Sequence, residues 1–575
     1  MGAVETLQQV RHKPKRTWSS VIPIGQWARG YDRAWLRPDV IAGVTLAAFT
    51  IPEAMAYAGL AGLPPQAGLY AALIAPIAYL TFGTSRQLSL GPTSALSIMV
   101  ASGLSVIAFA DPSQYAAAAA LTAILVAIIC FIAWLLRLGF LVNFISEAVL
   151  VGFSSGAALY IASTQLGKLF GIHGSSGEFF ERIAYILQHL DETNLPTLLL
   201  GLAGIVILLV MEEKLPRWPS ALIVVLGSIA LMSFSNLAAR GVAVTGAIPS
   251  GLPTPQIPKL LDLNTVRLLL PLAFSVFMLA YVEGMSMART FADKHHYKVD
   301  ADQELLGLGM SNLGAGLFQG FPIGGSMSRS AVADKSGARS PLAGGVAALG
   351  IAVVLLFLTG LFTNLPETIL AAVVIVAVKG LFKSKALRHL YRVNRIEFWI
   401  ALVVLFGVLL FGMLEGVLIG VIVSLLLLAY RAALPHTAVL GRIPGTAQFS
   451  DLERHPANEE LPGVLVYRPD ATLFYANAPV IREQLAHLVA ELEPRPKLVV
   501  LDLAGTPHTD LSAVDMLRDL RTELQAGGTV LKLAEGAGPV RDLLKADGQA
   551  ERFGLTNARQ SVQQVIAASA AILNQ

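Results

Sequence analysis

Apolar residues fill most of this chain in stretches of about 20, the length a helix needs to cross a hydrocarbon core of roughly 30 Å. The pattern predicts helices near 39–59, 68–83, 92–110, 115–136, 141–163, 194–212 and 218–233. A second set of seven follows near 266–289, 303–319, 326–339, 342–363, 367–380, 397–411 and 413–431. Several of these, including 326–339, are too short to cross alone. From about residue 462 the pattern changes: short β-rich runs ("GVLVYRP", "KLVVLDLAG", "GTVLKLA") alternate with amphipathic stretches ("NAPVIREQLAHLVAEL", "LSAVDMLRDLRTELQ"). Those periods predict a small α/β domain over 462–575. Turn formers and charge in "GRIPGTAQFSDLERHPANEE" predict a linker over 432–461, and residues 1–38 read as a polar, basic arm.

Lysine and arginine in short loops orient the spans. The arm, Arg86, Arg137, Lys214 with Arg217, "RTFADKHHYK", "DKSGAR", "KSKALRHLYRVNR" and Arg431 all fall outside the first helix or after even-numbered ones. The alternate connections, such as "AGLPPQ", "DPSQ", "QGFPIGG" and "TNLPE", carry almost none. Both ends of the chain are therefore expected in the cytosol, with the protein in the cytoplasmic membrane. Composition agrees, since 54% hydrophobic and 14% charged residues with a mean hydropathy of +0.63 lie outside the soluble globular range. The arm lacks the apolar core of a signal peptide. A single cysteine, Cys130, excludes an intramolecular disulfide and a thiolate metal cluster.

Two sets of seven suggest a repeat. "EAMAYA" at Glu53 echoes "EGMSMA" at Glu283, and the Gly/hydroxyl cluster "GPTSA" at Gly91 echoes "GSMSRSA" at Gly325. With an odd number of spans per copy, the second copy is inverted, and interrupted helices in corresponding places of inverted repeats point to a binding site.

The chemistry concentrates at those interruptions. A helix starting inside the membrane leaves its first N–H groups without partners and carries a partial positive charge there, which an anion satisfies. Glycines with Thr93, Ser94, Ser326 and Ser328 give two such starts, and Arg329 adds a full charge. An intramembrane arginine faces a partner or a wet cavity, or else snorkels to the headgroups. Glu53 and Glu283 lie mid-segment with no basic residue within a turn, so each wants a proton or a cation. If Glu283 faces Arg329, a proton on it would release the guanidinium to a substrate; a packing ion pair is the alternative. Tyr57 follows Glu53 on the same helical face. The acids Glu147, Glu367 and Glu415 fall near predicted helix ends, where the interface accounts for them.

These stretches resemble a known family, the SulP anion transporters of sulfate, bicarbonate and dicarboxylates. The likeness rests on "IPEAMAYAGLAGLPPQAGLYAALIAP", "GTSRQLSLGPTSAL", "FISEAVLVGFSSGAAL" and "ARTFADKHHYKVDADQELLGLGMSNLGAGLFQGFPIGGSMSRSAV", with a tail similar to a STAS domain. The resemblance implies an α-helical polytopic membrane protein with fourteen transmembrane segments in a seven-plus-seven inverted repeat, core and gate domains over 39–431, elevator-like movement and homodimers. It places substrate contacts on Glu53, Tyr57, Thr93, Ser94, Ser328 and Arg329, and a proton-coupling acid at Glu283. Many relatives carry glutamine where this chain has Glu53, and a carboxylate there repels an anion unless it is protonated or paired. In related STAS proteins a serine after an aspartate is phosphorylated; here Leu511 follows Asp510, with Ser512 next, so that switch is expected to be absent.

Proton-coupled symport of a small anion is the expected function. An anion channel, a nucleobase transporter of the same fold and a membrane-anchored signalling scaffold remain alternatives. The sequence carries no Walker A, HExxH or nucleophile elbow, so no enzyme activity is expected. Beyond the bilayer, the anion and the proton, no cofactor, metal or nucleic acid is expected.

Overall fold

The computed structural model describes residues 21–573, apart from 106, 108, 110, 141–145, 174–176, 216–217, 259–262 and 556–558. The basic run of the arm and the start of the predicted span at 141 therefore lie outside the described residues. The chain forms two compact units, Met1–Ser424 and Leu425–Gln575.

In the first unit the apolar stretches fold as α1 (Leu36–Leu60), α2 (Pro65–Phe82), the short strand β1 (Leu90–Gly91), α3 (Ser94–Ser105), α4 (Pro112–Leu135), α5 (Glu147–Phe170), α6 (Leu195–Lys214) and α7 (Ser220–Phe234). The second set gives α8 (Leu263–Lys294), α9 (Ala301–Leu317), β2 (Gly324–Gly325), α10 (Met327–Lys335), α11 (Leu342–Val353), α12 (Glu367–Val378), α13 (Arg395–Phe411) and α14 (Met413–Ala433). Among the described residues, seven helical stretches are long and apolar enough to cross a membrane. The third and tenth segments are short, α3 with 12 residues and α10 with 9; α3 opens on buried Thr93 and Ser94, and α10 follows buried Ser326, with Met327 and Ser328 exposed.

Packing sorts the helices into two groups. Helices α1 to α4 pack with α8 to α11, while α5, α6 and α7 pack with α12 and α13. Elements 1–4 of each set thus interleave, as do elements 5–7 of the first set with 5 and 6 of the second, the arrangement expected of two inverted copies. Contacts of α1 with α7 and α12, and of α3 with α5, join the groups.

Polar ties fix the loops around the short helices. Glu304 on α9 is buried and accepts from Tyr79 Oη at 2.7 Å, Thr84 N at 2.7 Å, Thr84 Oγ1 at 2.6 Å and Ser85 N at 3.2 Å. That carboxylate holds the start of the loop leading to β1. Asp39, at the head of α1, binds Arg339 N, Ser340 N and Ser340 Oγ and so anchors the chain leaving α10. At the end of α10, Asp334 is gripped by Lys294, the last residue of α8, and by His295 just beyond it, each at 2.5 Å. Replacing Glu304 with alanine would strand several buried donors, each costing about 1–3 kcal/mol. We expect Glu304→Ala to lower the stability of the purified protein by on the order of 3 kcal/mol, and Glu304→Gln, which keeps one acceptor oxygen, to cost markedly less in a thermal unfolding assay.

The second unit carries a five-stranded sheet ordered β4-β3-β5-β6-β7, from β3 (Thr437–Arg442), β4 (Phe449–Asp451), β5 (Val464–Pro469), β6 (Leu498–Asp502) and β7 (Val530–Ala534). Strands β5, β6 and β7 are parallel, linked by α15 (Ala478–Glu491) and α16 (Leu511–Ala526). One face of the sheet buries Leu465, Val499 and Leu501 against α15 and α16; the other buries Val466, Leu498 and Val500 against Val562 and Val565. The linker expectation needs correction here. Its apolar alternation "TAVLGR" forms β3, which pairs with β5, and "FSD" forms β4, so the sheet starts at Thr437. Turn residues between the two strands masked that alternation in the sequence.

Buried Asn477 donates to Ala432 O at 3.1 Å and Thr472 O at 2.9 Å, tying the end of α14 to the β5–α15 loop. Asp470 sits between Arg468 and His436, and despite partial burial the hydrogen bonds from these two side chains hold its carboxyl below the usual carboxylate range. Asp510 caps α16 by accepting from Ala513 N at 2.9 Å, and Leu511 and Ser512 after it are both exposed.

Candidate functional site

The two Gly/hydroxyl clusters meet. β1 and β2 pair antiparallel, Leu90 opposite Gly325 and Gly91 opposite Gly324. Ser326 N extends the pairing to Ser89 O at 3.1 Å, and Ser89 N donates to Ser330 Oγ at 2.9 Å. Bulk is disfavoured in β2 because the strand lies against α8 and against Leu96 of α3. A Cβ on Gly325 would sit 3.0 Å from Gly284 Cα, and one on Gly324 2.8 Å from Leu96 Cδ1. Two residues of ladder therefore place the starts of α3 and α10 next to each other, with their positive dipole ends at a common place.

Ser326 caps α10, its Oγ accepting from Arg329 N at 3.4 Å and lying 3.0 Å from Ser328 Oγ. Arg329, in the first turn, is 1% exposed. Its Nη1 donates to Pro92 O at 2.7 Å and lies 3.5 Å from Glu53 Oε2. Nε and Nη2 are buried and have no acceptor among the described residues. The guanidinium thus points into the protein and does not snorkel.

Glu53 follows Pro52 inside α1, and both it and Tyr57 are buried. Tyr57 has Glu53, Arg329 and Ser94 as polar neighbours. Thr93 and Ser94 open α3 and are also buried; Thr93 O accepts from Ser97 N at 3.0 Å, starting the helix. Ser328 is exposed on the other side of the α10 start. Five of the seven expected residues, Glu53, Tyr57, Thr93, Ser94 and Arg329, are therefore buried at the junction of α1, α3 and α10. Glu283 is not brought to Arg329: it is half-buried on α8, without a hydrogen bond or ion pair among the described residues, and its electrostatic neighbour is Lys383. Helix α8 turns Ala280 and Gly284 toward β2, and Glu283 lies one residue round from that face. The carboxylate beside the guanidinium is Glu53.

Sequence reasoning did not single out Pro92 or Glu304. A backbone carbonyl acceptor leaves no mark in a sequence. Glu304 did leave one, an acid two residues into a predicted apolar span, as Asp39 did at the start of the first.

A family model described as the sulfate permease family matches residues 36–404, and one described as the STAS domain matches 455–564. A probable sulfate transporter of Mycobacterium tuberculosis is 39% identical over 527 residues, covering 92% of this chain and 94% of its own. A chloroplastic sulfate transporter of Arabidopsis thaliana is 33% identical over 555 residues, covering 93% and 80%. The fold is that of the murine Solute Carrier 26 family member A9 anion transporter in its inward-facing state, with a TM-score of 0.88 at 22% identity over 99% of this chain and 98% of that one.

Proposed function

This chain belongs to the sulfate permease family, and on that premise we propose that it is a secondary active transporter carrying a small anion across the membrane together with a proton. The observation that carries this reading is the buried Arg329, set at two adjoining helix starts and paired with a carboxylate. Two dipole ends and a guanidinium favour an anion, and Glu53 opposes one for as long as it is ionised. A proton on Glu53 removes that opposition, so anion and proton bind best together. The sulfate transporters among its relatives favour sulfate as cargo, with bicarbonate and a dicarboxylate as the other candidates.

Every group at the junction, from α1, the β1 loop and α10, belongs to one helix group. Movement of that group against the other would carry the site bodily across the membrane, which is elevator-type alternating access. Homodimers, both termini on the cytosolic side of the cytoplasmic membrane, and a regulatory role for the STAS domain complete the proposal. In vesicles holding the reconstituted protein, labelled sulfate, bicarbonate or fumarate should accumulate faster under an inward proton gradient. Uptake indifferent to the gradient, with a strongly voltage-dependent current, would establish a channel instead.

A further inference from the structure

Between α12 and α13 the chain forms a short helix, Ser384–Val393, with the sequence "SKALRHLYRV". Its two faces differ in chemistry. Ala386, Leu387 and Leu390 turn inward and pack with Ala148 and Val151 of α5 and Ala401 of α13. Lys385, Arg388 and Arg392, at i, i+3 and i+7, share the opposite face and are exposed. The apolar side seats the helix on the protein, and the cations face away from that seat.

No acid occurs between Glu367 and Glu397, a stretch that holds six Lys and Arg residues. Three of the six have a neighbour within the protein: Lys379 pairs with Glu212 of α6 at 3.3 Å, Lys383 has Glu283 as its electrostatic neighbour, and Arg395 lies over the Tyr391 ring, 5.6 Å from its centroid. Lys385, Arg388 and Arg392 are left, without an ion pair among the described residues. Their depth follows from what comes next. α13 begins at Arg395 and exposes Ile396 and Trp399 in its first turns, and its 17 residues run about 25 Å, most of the hydrocarbon thickness. Tyr391 packs edge-on against Phe398 with ring centroids 5.1 Å apart, and Phe398 against Trp399 at 5.8 Å. Aromatic groups of this kind sit where hydrocarbon meets headgroups, so the cationic face lies at headgroup depth rather than in bulk water.

We propose that the Lys385/Arg388/Arg392 face is a docking surface for the headgroups of anionic phospholipids in the adjoining leaflet. Three cations, no competing carboxylate and aromatic rings that hold them at the phosphate level make the surface complementary to negative headgroups. A zwitterionic headgroup offers the same phosphate but carries its own ammonium, so it gains little. The helix packs on α5 and α13, which belong to one helix group, and the bound lipids hold that group at constant depth while the other group moves in the cycle proposed above. This rests on the membrane-spanning reading of the chain and not on the identity of its cargo.

Cys130, the single cysteine, is fully buried, so a fluorophore on Ser384→Cys, at an exposed serine flanking the cationic face, marks this helix alone. Full-length labelled protein is reconstituted in phosphatidylcholine vesicles doped with the same small fraction of either spin-labelled phosphatidylglycerol or spin-labelled phosphatidylcholine, the nitroxide near the headgroup. Phosphatidylglycerol should quench the fluorophore about fivefold more effectively, the factor that one cation contributes at an anionic surface. In Lys385→Gln/Arg388→Gln/Arg392→Gln, which keeps good helix formers and removes the charge, the two lipids should quench alike. The same levelling is expected with the native cations in about 1 M salt, where the screening length is about 3 Å, and that measurement decides the matter if the triple variant fails to fold. Equal quenching by the two lipids at low salt overturns the docking surface, as does a preference that persists in the triple variant. Absence of quenching by either lipid overturns it too, and places the face in water or under another protein segment. Lipid contact is read here and not uptake, so its failure is distinct from failure of the transport reading.

Discussion

Arg329→Ala should abolish saturable anion uptake, a fall of at least about 100-fold corresponding to the loss of one buried charge-assisted contact and more. It should also destabilise the protein, for a separate reason. Glu53 would remain in α1, buried and without its counter-charge, and breaking a buried pair from one side costs about 3–5 kcal/mol. The double variant Glu53→Gln/Arg329→Ala removes the stranded charge. We therefore expect its thermal unfolding temperature to recover most of the way toward wild type while uptake stays abolished. That split identifies the pair as coupled in folding and the arginine alone as essential for the anion. Recovery of uptake in the double variant, or a single variant that still binds sulfate with wild-type affinity, would refute it.

The same pair marks where sequence reasoning reached and where it stopped. Apolar periodicity gave the spans, and Gly/hydroxyl clusters at Gly91 and Gly325 gave the two interrupted helices, which the structure joins through β1 and β2. A charge within an apolar run costs free energy wherever it points, so Glu53, Glu283 and Arg329 were visible as singular residues. Their pairing was not. Which acid meets Arg329 depends on the rotation of α1 and α8 about their axes, and rotation is set by tertiary packing such as the seating of β2 against Ala280 and Gly284. The loop into β1 is held by Glu304 and the far end of α10 by Asp39 and Asp334, and the partners of the first two are largely backbone N–H groups and side chains more than 200 residues away in sequence. Likewise β3 was hidden because its partner, β5, lies beyond a turn-rich stretch that reads as linker.

Glu53→Gln should separate binding from coupling. Glutamine has the shape of the protonated acid and is neutral at every pH, so it stands permanently for the anion-accepting form. In the wild type, lowering the pH adds the proton to Glu53, the carboxylate stops competing for Nη1 of Arg329, and the affinity for sulfate rises; one linked proton limits the rise to about tenfold per pH unit. Linkage makes the effect mutual, since an anion that binds better to the protonated protein must tighten the proton. In Glu53→Gln both dependences vanish: sulfate affinity should be flat with pH, exchange of labelled for unlabelled sulfate should persist, and a proton gradient should no longer drive accumulation. Glu283→Gln, which leaves the Glu53–Arg329 pair intact, should still respond to the gradient. If instead Glu283→Gln abolishes the response and Glu53→Gln keeps it, the coupling proton sits on α8, and the 3.5 Å approach of Glu53 to Arg329 serves only to hold the guanidinium in place.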